Sequence, residues 1–382
     1  MTTDPLKEFS SKIAHRHELP SEEPLGTLEP MAYFNGAMPT GVTVSQQGRI
    51  FINFPKWGDD VKFTVTEIHN GEAVAFPDEA INRTDPNDPA AALVSVQSVV
   101  VDPIDRLWIL DTGSPKFEPT KYGGPKLVCV DLATNKIVKK ILFPQDVALP
   151  TTYLNDVRFD LRKGSEGIAY ITDSAQKGPN GIIIVDLLSG ESWRRLHDHP
   201  STKAEDLQTF LPIVEGRPFL ERQPDGSVKP GANMGADGIA ISSDGKHLYY
   251  CPLGSRKLYK VDTDSLVDRL ISDKEVSATI TDEGDRGGAS DGLESDASGY
   301  IYSTNYEHNA ILRRLPEGEW ETVAHDPKLL WPDTLSLAAD GYLYVTANQL
   351  HRQARFHNGH DLRHKPYTLF RIHINAQPVM LR

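Results

Sequence analysis

Asp237-Gly-Ile-Ala-Ile-Ser-Ser-Asp-Gly-Lys-His-Leu-Tyr-Tyr250 is the stretch that decides the fold, because its pattern returns along the chain. A polar residue is followed by a small residue, a short apolar run, a turn with Gly or Asp, and an aromatic-bearing strand. Gly and Asp supply the positive φ that tight turns need, and Ile, Leu and Tyr suit the flanking strands. The stretch therefore predicts a β-hairpin.

The same pattern occurs six times along the chain. The copies begin at Thr40, Gln97, Asn155, Asp237, Asp291 and Asp333. Apolar segments that follow most copies, such as Lys126-Leu-Val-Cys-Val-Asp131, provide a third strand, and later segments provide a fourth. Four strands per repeat are typical of a propeller blade. The sequence thus predicts an all-β protein, a six-bladed β-propeller of four-stranded antiparallel blades.

The predicted propeller occupies residues 31–382 and follows an N-terminal arm of residues 1–30. One interval between copies is longer than the others and contains an insertion at about 194–235 that is rich in Pro, Gly and charged residues. Long connections in compact domains are commonly functional, and Phe210 and Phe219 offer apolar anchors. We therefore interpret the insertion as a lid, with packing over a blade edge as the alternative. A strand near one terminus is expected to complete the last blade, since closure removes exposed sheet edges.

Composition limits the partners of the chain. Its 40 Lys and Arg against 53 Asp and Glu give a net charge of −13, without the basic footprint of nucleic-acid or anionic-lipid binding. No apolar run reaches the roughly 18 residues of a membrane span. We expect a small-molecule partner, no nucleic acid and no membrane. Residues 1–23 lack the apolar core of a secretory signal, so a cytoplasmic location is expected, or a secreted one if a leader was removed.

The six polar residues that begin the copies are candidates for one site, because the first strand of every propeller blade lines the central axis. Carboxylates gathered there repel one another unless a cation or shared protons compensate. Oxygen ligands from Asp and Asn suit Ca²⁺ or Mg²⁺. We therefore predict a divalent metal, Ca²⁺, held by Asn155, Asp237 and Asp291. The alternative is that each Asp caps its own turn.

Such a metal could polarise an ester carbonyl while an uncoordinated Asp acts as the base. Asp291 and Asp333 are the predicted catalytic residues. The residues predicted to contact a substrate are Thr40, Gln97, Asp156, Glu294, His308 and His351. Nucleophile elbows, dinucleotide fingerprints, Walker loops and zinc-protease motifs do not occur in the sequence, which excludes those enzyme classes.

Several segments resemble the major royal jelly/yellow protein family. They include Arg106-Leu-Trp-Ile-Leu-Asp111, Ala169-Tyr-Ile-Thr-Asp-Ser174 and Leu330-Trp-Pro-Asp-Thr-Leu335. This resemblance implies a six-bladed propeller with a small-molecule pocket on its axis, and members range from binders of biogenic amines to dopachrome-converting enzymes.

The blade starts at Asn155, Asp237 and Asp291 are also similar to those of gluconolactonase/regucalcin propellers. There, equivalent residues hold a divalent cation and act on a lactone. Those enzymes carry Glu at the first blade, where this chain has Thr40.

Two functions remain open from the sequence. The first is a lactonase-like hydrolase, or an isomerase, that acts on small cyclic substrates with the help of a divalent metal. The second is a non-catalytic propeller in which the same Asp residues bind an amine or an aromatic metabolite under the insertion. The fold by itself does not choose between them.

Overall fold

The structure is a computed structural model that describes residues 23–223 and 225–382. Its first strand, β1 (Leu28–Phe34), belongs to the last blade. Blade 1 consists of β2 (Val42–Val44), β3 (Ile50–Asn53), β4 (Val65–His69) and β5 (Glu72–Ala75). Blade 2 consists of β6 (Val96–Val101), β7 (Arg106–Asp111), β8 (Lys126–Asp131) and β9 (Lys136–Leu142). Blade 3 consists of β10 (Leu154–Asp160), β11 (Ile168–Asp173), β12 (Gly181–Asp186) and β13 (Ser192–Arg195).

The insertion follows blade 3 and contains two short hairpins. They are formed by β14 (Ile213–Val214) with β15 (Arg217–Pro218), and by β16 (Leu220–Arg222) with β17 (Val228–Pro230). Blade 4 consists of β18 (Ala236–Ile241), β19 (His247–Pro252), β20 (Lys257–Asp262) and β21 (Thr281–Asp285). Blade 5 consists of β22 (Leu293–Ser295), β23 (Ile301–Asn305), β24 (Ala310–Arg314) and β25 (Trp320–His325). Blade 6 consists of β26 (Pro332–Leu337), β27 (Tyr342–Ala347), β28 (Tyr367–His373) and β1.

Helices occur only in short connections of the described chain. They are α1 (Glu79–Asn82), α2 (Thr263–Val267) and α3 (Asp273–Ser277), with 3-10 turns at Pro115–Phe117, Pro200–Thr202, Leu350–Arg352 and Ala354–Phe356. The six innermost strands contact one another in ring order, and β26 returns to β2. The predicted six-bladed propeller is therefore confirmed.

The ring is closed by pairing the two ends of the chain. Strand β1 lies antiparallel to β28 with Leu28 opposite Ile372 and Phe34 opposite Tyr367, and it forms the outer edge of blade 6. The expected terminal strand is thus confirmed. Most of the predicted N-terminal arm, residues 1–22, lies outside the described residues.

Apolar side chains between neighbouring blades form the core. Trp108 of blade 2 stacks on Phe159 of blade 3, with ring centroids 5.2 Å apart, and its indole N–H donates to Asp102 at 2.8 Å. Both rings are buried, and each such burial contributes roughly 1.5–3 kcal/mol. The second strand of each blade is covered on both faces, which explains continuous apolar runs such as Leu107–Leu110.

The insertion packs onto the propeller through its apolar residues. Phe210 and Phe219 are both buried and belong to the same apolar cluster as Trp331. That the insertion acts as a lid stays a prediction.

Across residues 23–223 and 225–382, none of the helices combines the length and apolar character needed to cross a bilayer. The expected cytoplasmic location stays a prediction.

Candidate functional site

Irregularities in the innermost strands aim polar side chains at the axis. The regular register of β6, β10, β18 and β26 with the next strand is interrupted between Val96 and Ser98, Leu154 and Val157, Ala236 and Ile239, and Pro332 and Leu335. The interruptions contain Gln97, Asn155, Asp237 and Asp333. A β-bulge bends its strand and redirects a side chain, so these residues leave the blade surface and face the channel.

The Asp-Gly pairs serve close packing between blades rather than turns. Neither Gly238 nor Gly292 has a positive φ. A Cβ on Gly238 would lie 2.5 Å from the carbonyl oxygen of Asp291, and one on Gly292 would lie 2.3 Å from that of Asp333. Glycine therefore allows adjacent innermost strands to approach at the level of the carboxyl groups.

Six of the predicted site residues meet around one small axial cavity. It has a volume of about 10 Å³, and its predicted lining residues are Gln97, Asn155, Asp156, Asp237, Asp291 and Asp333. All six are buried. A cavity of this size holds about one water-sized group. The carboxyl groups are thus withdrawn from bulk solvent and close together.

Burial and mutual repulsion hold these carboxyl groups partly protonated. Burial, and then the charges of Asp291 and Asp333, raise the pKa of Asp237 well above its ordinary value. Burial and the charge of Asp291 do the same to the pKa of Asp333. The proximity of the Asp237 and Asp291 carboxyl groups raises the pKa of Asp237 and lowers that of Asp291, as expected when a protonated Asp237 donates to Asp291.

Asp291 differs from its neighbours because two donors stabilise its charged form. Burial raises the pKa of Asp291 to about 6, but hydrogen bonds from Trp331 and Asp237 oppose that rise. The indole N–H of Trp331 donates to Asp291 Oδ2 at 2.6 Å. The surroundings thus favour the charged form of Asp291 and the protonated forms of Asp237 and Asp333.

The guanidinium group of Arg158 lies next to the carboxyl groups of the ring. Arg158 Nη1 donates to Asp156 Oδ2 at 2.8 Å, and Arg158 Nη2 donates to the carbonyl oxygen of Leu293 at 2.7 Å. Glu294 lies 3.9 Å from the same guanidinium. Arg158 therefore supplies one positive charge beside the two carboxyl groups of Asp156 and Glu294, and it pairs directly with Asp156. Among residues 23–223 and 225–382, no Lys, Arg or His forms an ion pair with Asp237, Asp291 or Asp333.

Four other predicted residues lie away from the axial cavity. Thr40 is buried and donates its hydroxyl to the carbonyl oxygen of Gln97 at 3.3 Å. Glu294 lines a separate cavity of about 100 Å³ on the other side of Arg158. His308 is exposed. His351 is buried and contacts Glu215 of the insertion at 2.7 Å.

Aromatic side chains cover the ring on the side of the insertion. Trp331 stacks on Tyr306 with centroids 4.1 Å apart, and Phe219 of the insertion meets the edge of Trp331 at 5.3 Å. On the opposite side of the mouth, the hydroxyl of Tyr153 donates to Gln97 Oε1 at 3.0 Å. We call the four residues Tyr153, Phe219, Tyr306 and Trp331 the aromatic roof.

The oxygen atoms around the axial cavity are of the type that binds hard cations such as Ca²⁺. Their positions, however, do not form a metal site. Within residues 23–223 and 225–382, no group of three or more His, Cys, Asp or Glu side chains is placed to hold a metal ion. The amide nitrogen of Asn155 donates to Asp237 Oδ2 at 2.8 Å, so that oxygen is already occupied. The predicted Ca²⁺ site at Asn155, Asp237 and Asp291 stays a prediction.

Three threonines that sequence reasoning overlooked shape the ring. Thr304 accepts hydrogen bonds from the backbone N–H groups of Asp291 and Gly292, both at 3.0 Å. Thr172 donates its hydroxyl to the carbonyl oxygen of Asp237 at 2.7 Å. The hydroxyl of Thr346 accepts from the backbone N–H of Thr334 in blade 6 and donates to the carbonyl oxygen of Thr40 before blade 1. A repeated Tyr-x-Thr in the second strand of three blades was the available signal, at Tyr170-Ile-Thr172, Tyr302-Ser-Thr304 and Tyr344-Val-Thr346.

Comparisons with known proteins agree with this architecture. The family model described as major royal jelly protein matches residues 94–377. Major royal jelly protein 1 of Apis mellifera is 29% identical over 184 residues, which are 46% of this chain and 38% of that protein. L-dopachrome tautomerase yellow-f of Drosophila melanogaster is 23% identical over 342 residues, with 82% of this chain and 74% of the relative covered. The match to the Apis mellifera relatives spans less than two-fifths of their length.

Solved structures share the fold at low sequence identity. Regucalcin from Agrobacterium tumefaciens, described as a calcium-binding protein, superposes with a TM-score of 0.55 at 14% identity, covering 92% of this chain and 97% of that one. A gluconolactonase from Xanthomonas campestris superposes with a TM-score of 0.52 at 12% identity, covering 91% and 89%. At these identities the likeness concerns the fold alone.

Proposed function

This chain belongs to the major royal jelly protein family, and on that premise we propose that it is a small-molecule enzyme, an isomerase that moves a proton at the axial carboxyl groups. The observation that carries the proposal is that three buried carboxyl groups surround one small cavity in unlike surroundings, with Asp291 accepting a hydrogen bond from Trp331 and Asp333 accepting one from Asn348. A pair of titratable groups whose pKa values are driven apart is the usual arrangement for a general base beside a general acid.

Asp291 is the proposed base. Its pKa of about 6 leaves it ionised at neutral pH, and the hydrogen bonds from Trp331 and Asp237 fix the orientation of its carboxylate. The carboxylate removes a proton from a carbon next to a carbonyl or imine group of the substrate. The electron pair of that C–H bond moves into the substrate, where it forms the new double bond.

Asp333 is the proposed acid. Burial and the charge of Asp291 raise its pKa and so favour its protonated form. Asn348 Nδ2 donates to its Oδ2 at 2.6 Å and holds the carboxyl group in place. Asp333 delivers its proton to the substrate atom that gains the electron pair. Afterwards Asp291 carries a proton and Asp333 a charge, and transfer of one proton between them restores the starting state, so the reaction consumes no co-reactant.

Substrate access depends on the aromatic roof. A cavity of about 10 Å³ admits only one edge of a substrate, and Trp331 and Phe219 cover the carboxyl groups on the insertion side. We therefore retain the lid hypothesis, in which the insertion moves Phe219 away from Trp331 before the substrate enters. The name of one relative, L-dopachrome tautomerase, supports this reaction class, because tautomerisation moves a proton within the substrate.

The proposal is tested by assaying tautomerisation of L-dopachrome with the wild type and three variants. Asp291→Asn and Asp333→Asn should each lower kcat by at least about 100-fold, the usual contribution of a positioned acid or base. Asp146→Asn changes an exposed carboxylate and should have wild-type activity. Full activity of Asp291→Asn with its fold intact would exclude the proposed base.

A second candidate is a lactonase-like hydrolase that uses a divalent metal. It is favoured only by the type of donor, because Asn155, Asp237 and Asp291 bring oxygen atoms to one small cavity. The test is metal analysis of the purified protein with thermal melts in chelator. One bound equivalent whose removal lowers Tm supports this candidate, since binding to the native state alone stabilises it.

A third candidate is binding without catalysis. It is favoured by the aromatic roof over the carboxyl groups, because aromatic faces beside negative charge suit an amine or an aromatic metabolite. Ligand screening by calorimetry, followed by turnover assays of every hit, separates this function from the isomerase. A ligand that binds, remains unchanged and is lost in Asp291→Asn would favour it.

A further inference from the structure

A further cavity opens beside the aromatic roof and does not include the axial carboxyl groups. It has a volume of about 360 Å³ and is lined by residues of blade 1, of the 3-10 turn at Pro115–Phe117 and of the loop around Arg355. Its volume lies within the usual range for small-molecule sites. Tyr153, whose hydroxyl contacts Gln97, stands between this cavity and the ring.

One wall of the cavity is formed by Trp57 and Phe117, whose rings stack with centroids 5.3 Å apart and an interplanar angle of 23°. The buried Tyr153 also stacks on Phe117, with centroids 5.0 Å apart and an angle of 29°. The indole N–H of Trp57 donates to the hydroxyl of Tyr153 at 2.6 Å, which fixes Trp57 relative to Tyr153. Trp57 and Phe117 are only partly buried, so the stack offers a flat apolar surface to a ligand.

The backbone that presents Phe117 is strained. Lys116 and Phe117 both have a positive φ, 53° and 60°, although neither is glycine. Consecutive side chains in the left-handed region are uncommon, and such strain occurs chiefly at ligand clamps and active sites. The N–H of Lys116 donates to the carbonyl oxygen of Lys56 at 2.8 Å and ties the strained turn to the Trp57 segment.

The cavity also contains cations that lack an anionic partner. Arg363 is paired with both Asp59 at 2.9 Å and Asp361 at 2.6 Å, so it offers no unpaired positive charge. By contrast, neither Lys116 nor Arg355 lies within ion-pair distance of a carboxylate among residues 23–223 and 225–382. Arg355 Nε donates to the neutral Gln353 Oε1 at 3.1 Å, and the charge of Glu221 acts on Arg355 from a greater distance. The Arg355 guanidinium lies 5.6 Å from the Phe117 centroid and 4.5 Å from that of Phe356. The chain as a whole has a net charge of −13, so two cations without a paired carboxylate beside one aromatic wall make this cavity locally positive.

From these four features we propose that the cavity at Trp57, Phe117 and Arg355 binds an aromatic carboxylate. The ring of the ligand stacks on Phe117 and Trp57, and its carboxylate accepts hydrogen bonds from the planar fork of Arg355, with Lys116 as a second positive charge. This site goes beyond the proposed reaction, because it neither contains nor requires the axial carboxyl groups.

The test is calorimetric titration of the full chain with three probes of the same ring. 1-Naphthoate should bind, whereas 1-naphthamide and 1-naphthylmethylamine should bind at least about tenfold more weakly, because a charged hydrogen bond is lost or repulsion is added. Arg355→Gln should weaken 1-naphthoate binding by at least about tenfold. Lys121→Gln, an exposed lysine outside the cavity, should leave the affinity unchanged.

Two further variants serve as controls. Arg355→Lys retains the charge but loses the planar fork, so an intermediate affinity is expected, and a melt of each variant verifies its fold. Asp291→Asn should bind 1-naphthoate like the wild type. The proposal is overturned if the amine binds as tightly as the carboxylate, if Arg355→Gln equals Lys121→Gln, or if Asp291→Asn abolishes binding.

Discussion

Trp331 donates its indole N–H to Asp291 Oδ2 at 2.6 Å, and both residues are buried on the channel axis. A hydrogen bond to a charged group in such surroundings is worth about 1.5–3 kcal/mol, which corresponds to about one to two pKa units. The bond favours the ionised form of Asp291. It therefore helps to set the pH at which this carboxyl group can act as a base.

Replacing Trp331 by Phe should shift the pH dependence of activity. Phe retains an aromatic ring against Tyr306 but cannot donate to Asp291, so the pKa of Asp291 should rise from about 6 by about one unit or more. The acidic limb of the kcat/KM profile then moves to higher pH. Trp193→Phe is the matched control, because its indole N–H donates to the carbonyl oxygen of Leu266 in another region. Equal profiles for both variants would contradict the assigned role of Trp331.

Stability should fall with rising pH because of the axial ring. The pKa of Asp291 is raised from 3.8 to about 6, so the folded state binds more protons than the unfolded state between these values. Its stabilising contribution is complete below pH 4 and is lost as the pH rises through about 6, by on the order of 3 kcal/mol. Asp291→Asn removes this dependence, and Asp146→Asn does not.

Urea unfolding at several pH values measures that effect. The decisive quantity is the difference in the free energy of unfolding between the wild type and Asp291→Asn, because titrating groups outside the axial ring contribute equally to both proteins. The difference includes the altered titration of Asp237 and Asp333, whose pKa values are raised in part by the charge of Asp291. A difference that is constant from pH 4 to pH 7 would show that Asp291 has an ordinary pKa.

Glu215 should hold the insertion closed. Its carboxylate binds Arg352 and His351, and the hydrogen bond from Arg352 is the main reason why the pKa of Glu215 falls to about 2. Glu215→Gln keeps the shape but removes the charge, so the segment between blades 3 and 4 should be cleaved faster in limited proteolysis. Arg222→Gln changes an exposed residue of the same insertion and serves as the control.

The pH dependence of cleavage adds a second test of the same contact. The stabilisation from Glu215 is present above its unfolded pKa of 4.5 and is lost as the pH falls towards 2. Cleavage of the wild type by an acid-active protease should therefore increase below pH 4.5, whereas Glu215→Gln should change less. Identical cleavage of the two proteins at every pH would show that the contact of Glu215 with His351 and Arg352 does not hold the insertion in place.

A buried ion pair in blade 2 should be essential for stability but not for chemistry. Lys126 Nζ lies 2.8 Å from Asp111 Oδ2, and both side chains are fully buried. Lys126→Met leaves the Asp111 charge without its partner, which costs about 3–5 kcal/mol. Denaturant unfolding should show this loss, while kcat per folded molecule stays at the wild-type value. A loss below 1 kcal/mol would contradict the buried pairing.

The sequence was sufficient to predict the fold and most of the axial ring, because both depend on local patterns. A hairpin turn and its strands are encoded within about 14 residues, and the start of each copy marks one position along the axis. Asn155, Asp237, Asp291 and Asp333 accordingly line one cavity, while their roles in binding and catalysis stay a prediction.

Depth along the channel and contacts between distant segments could not be predicted in this way. Glu294 follows Asp291 by three residues, and a strand rises about 3.3 Å per residue, so Glu294 lies at another level and faces Arg158. The contact of His351 with Glu215 joins segments 136 residues apart. Such contacts depend on how the insertion packs, for which the sequence contains no repeat.

The protonation of the axial ring is the central claim, and infrared spectroscopy of carboxyl groups tests it most directly. At pH 7 the wild type should show C=O stretching bands of protonated carboxylic acids that withstand brief exposure to D₂O, since the groups are buried. Asp237→Asn combined with Asp333→Asn should remove these bands, and Asp146→Asn should retain them. A wild-type spectrum without protonated carboxyl bands at pH 7 would contradict the account, because a cation rather than shared protons would then balance the ring.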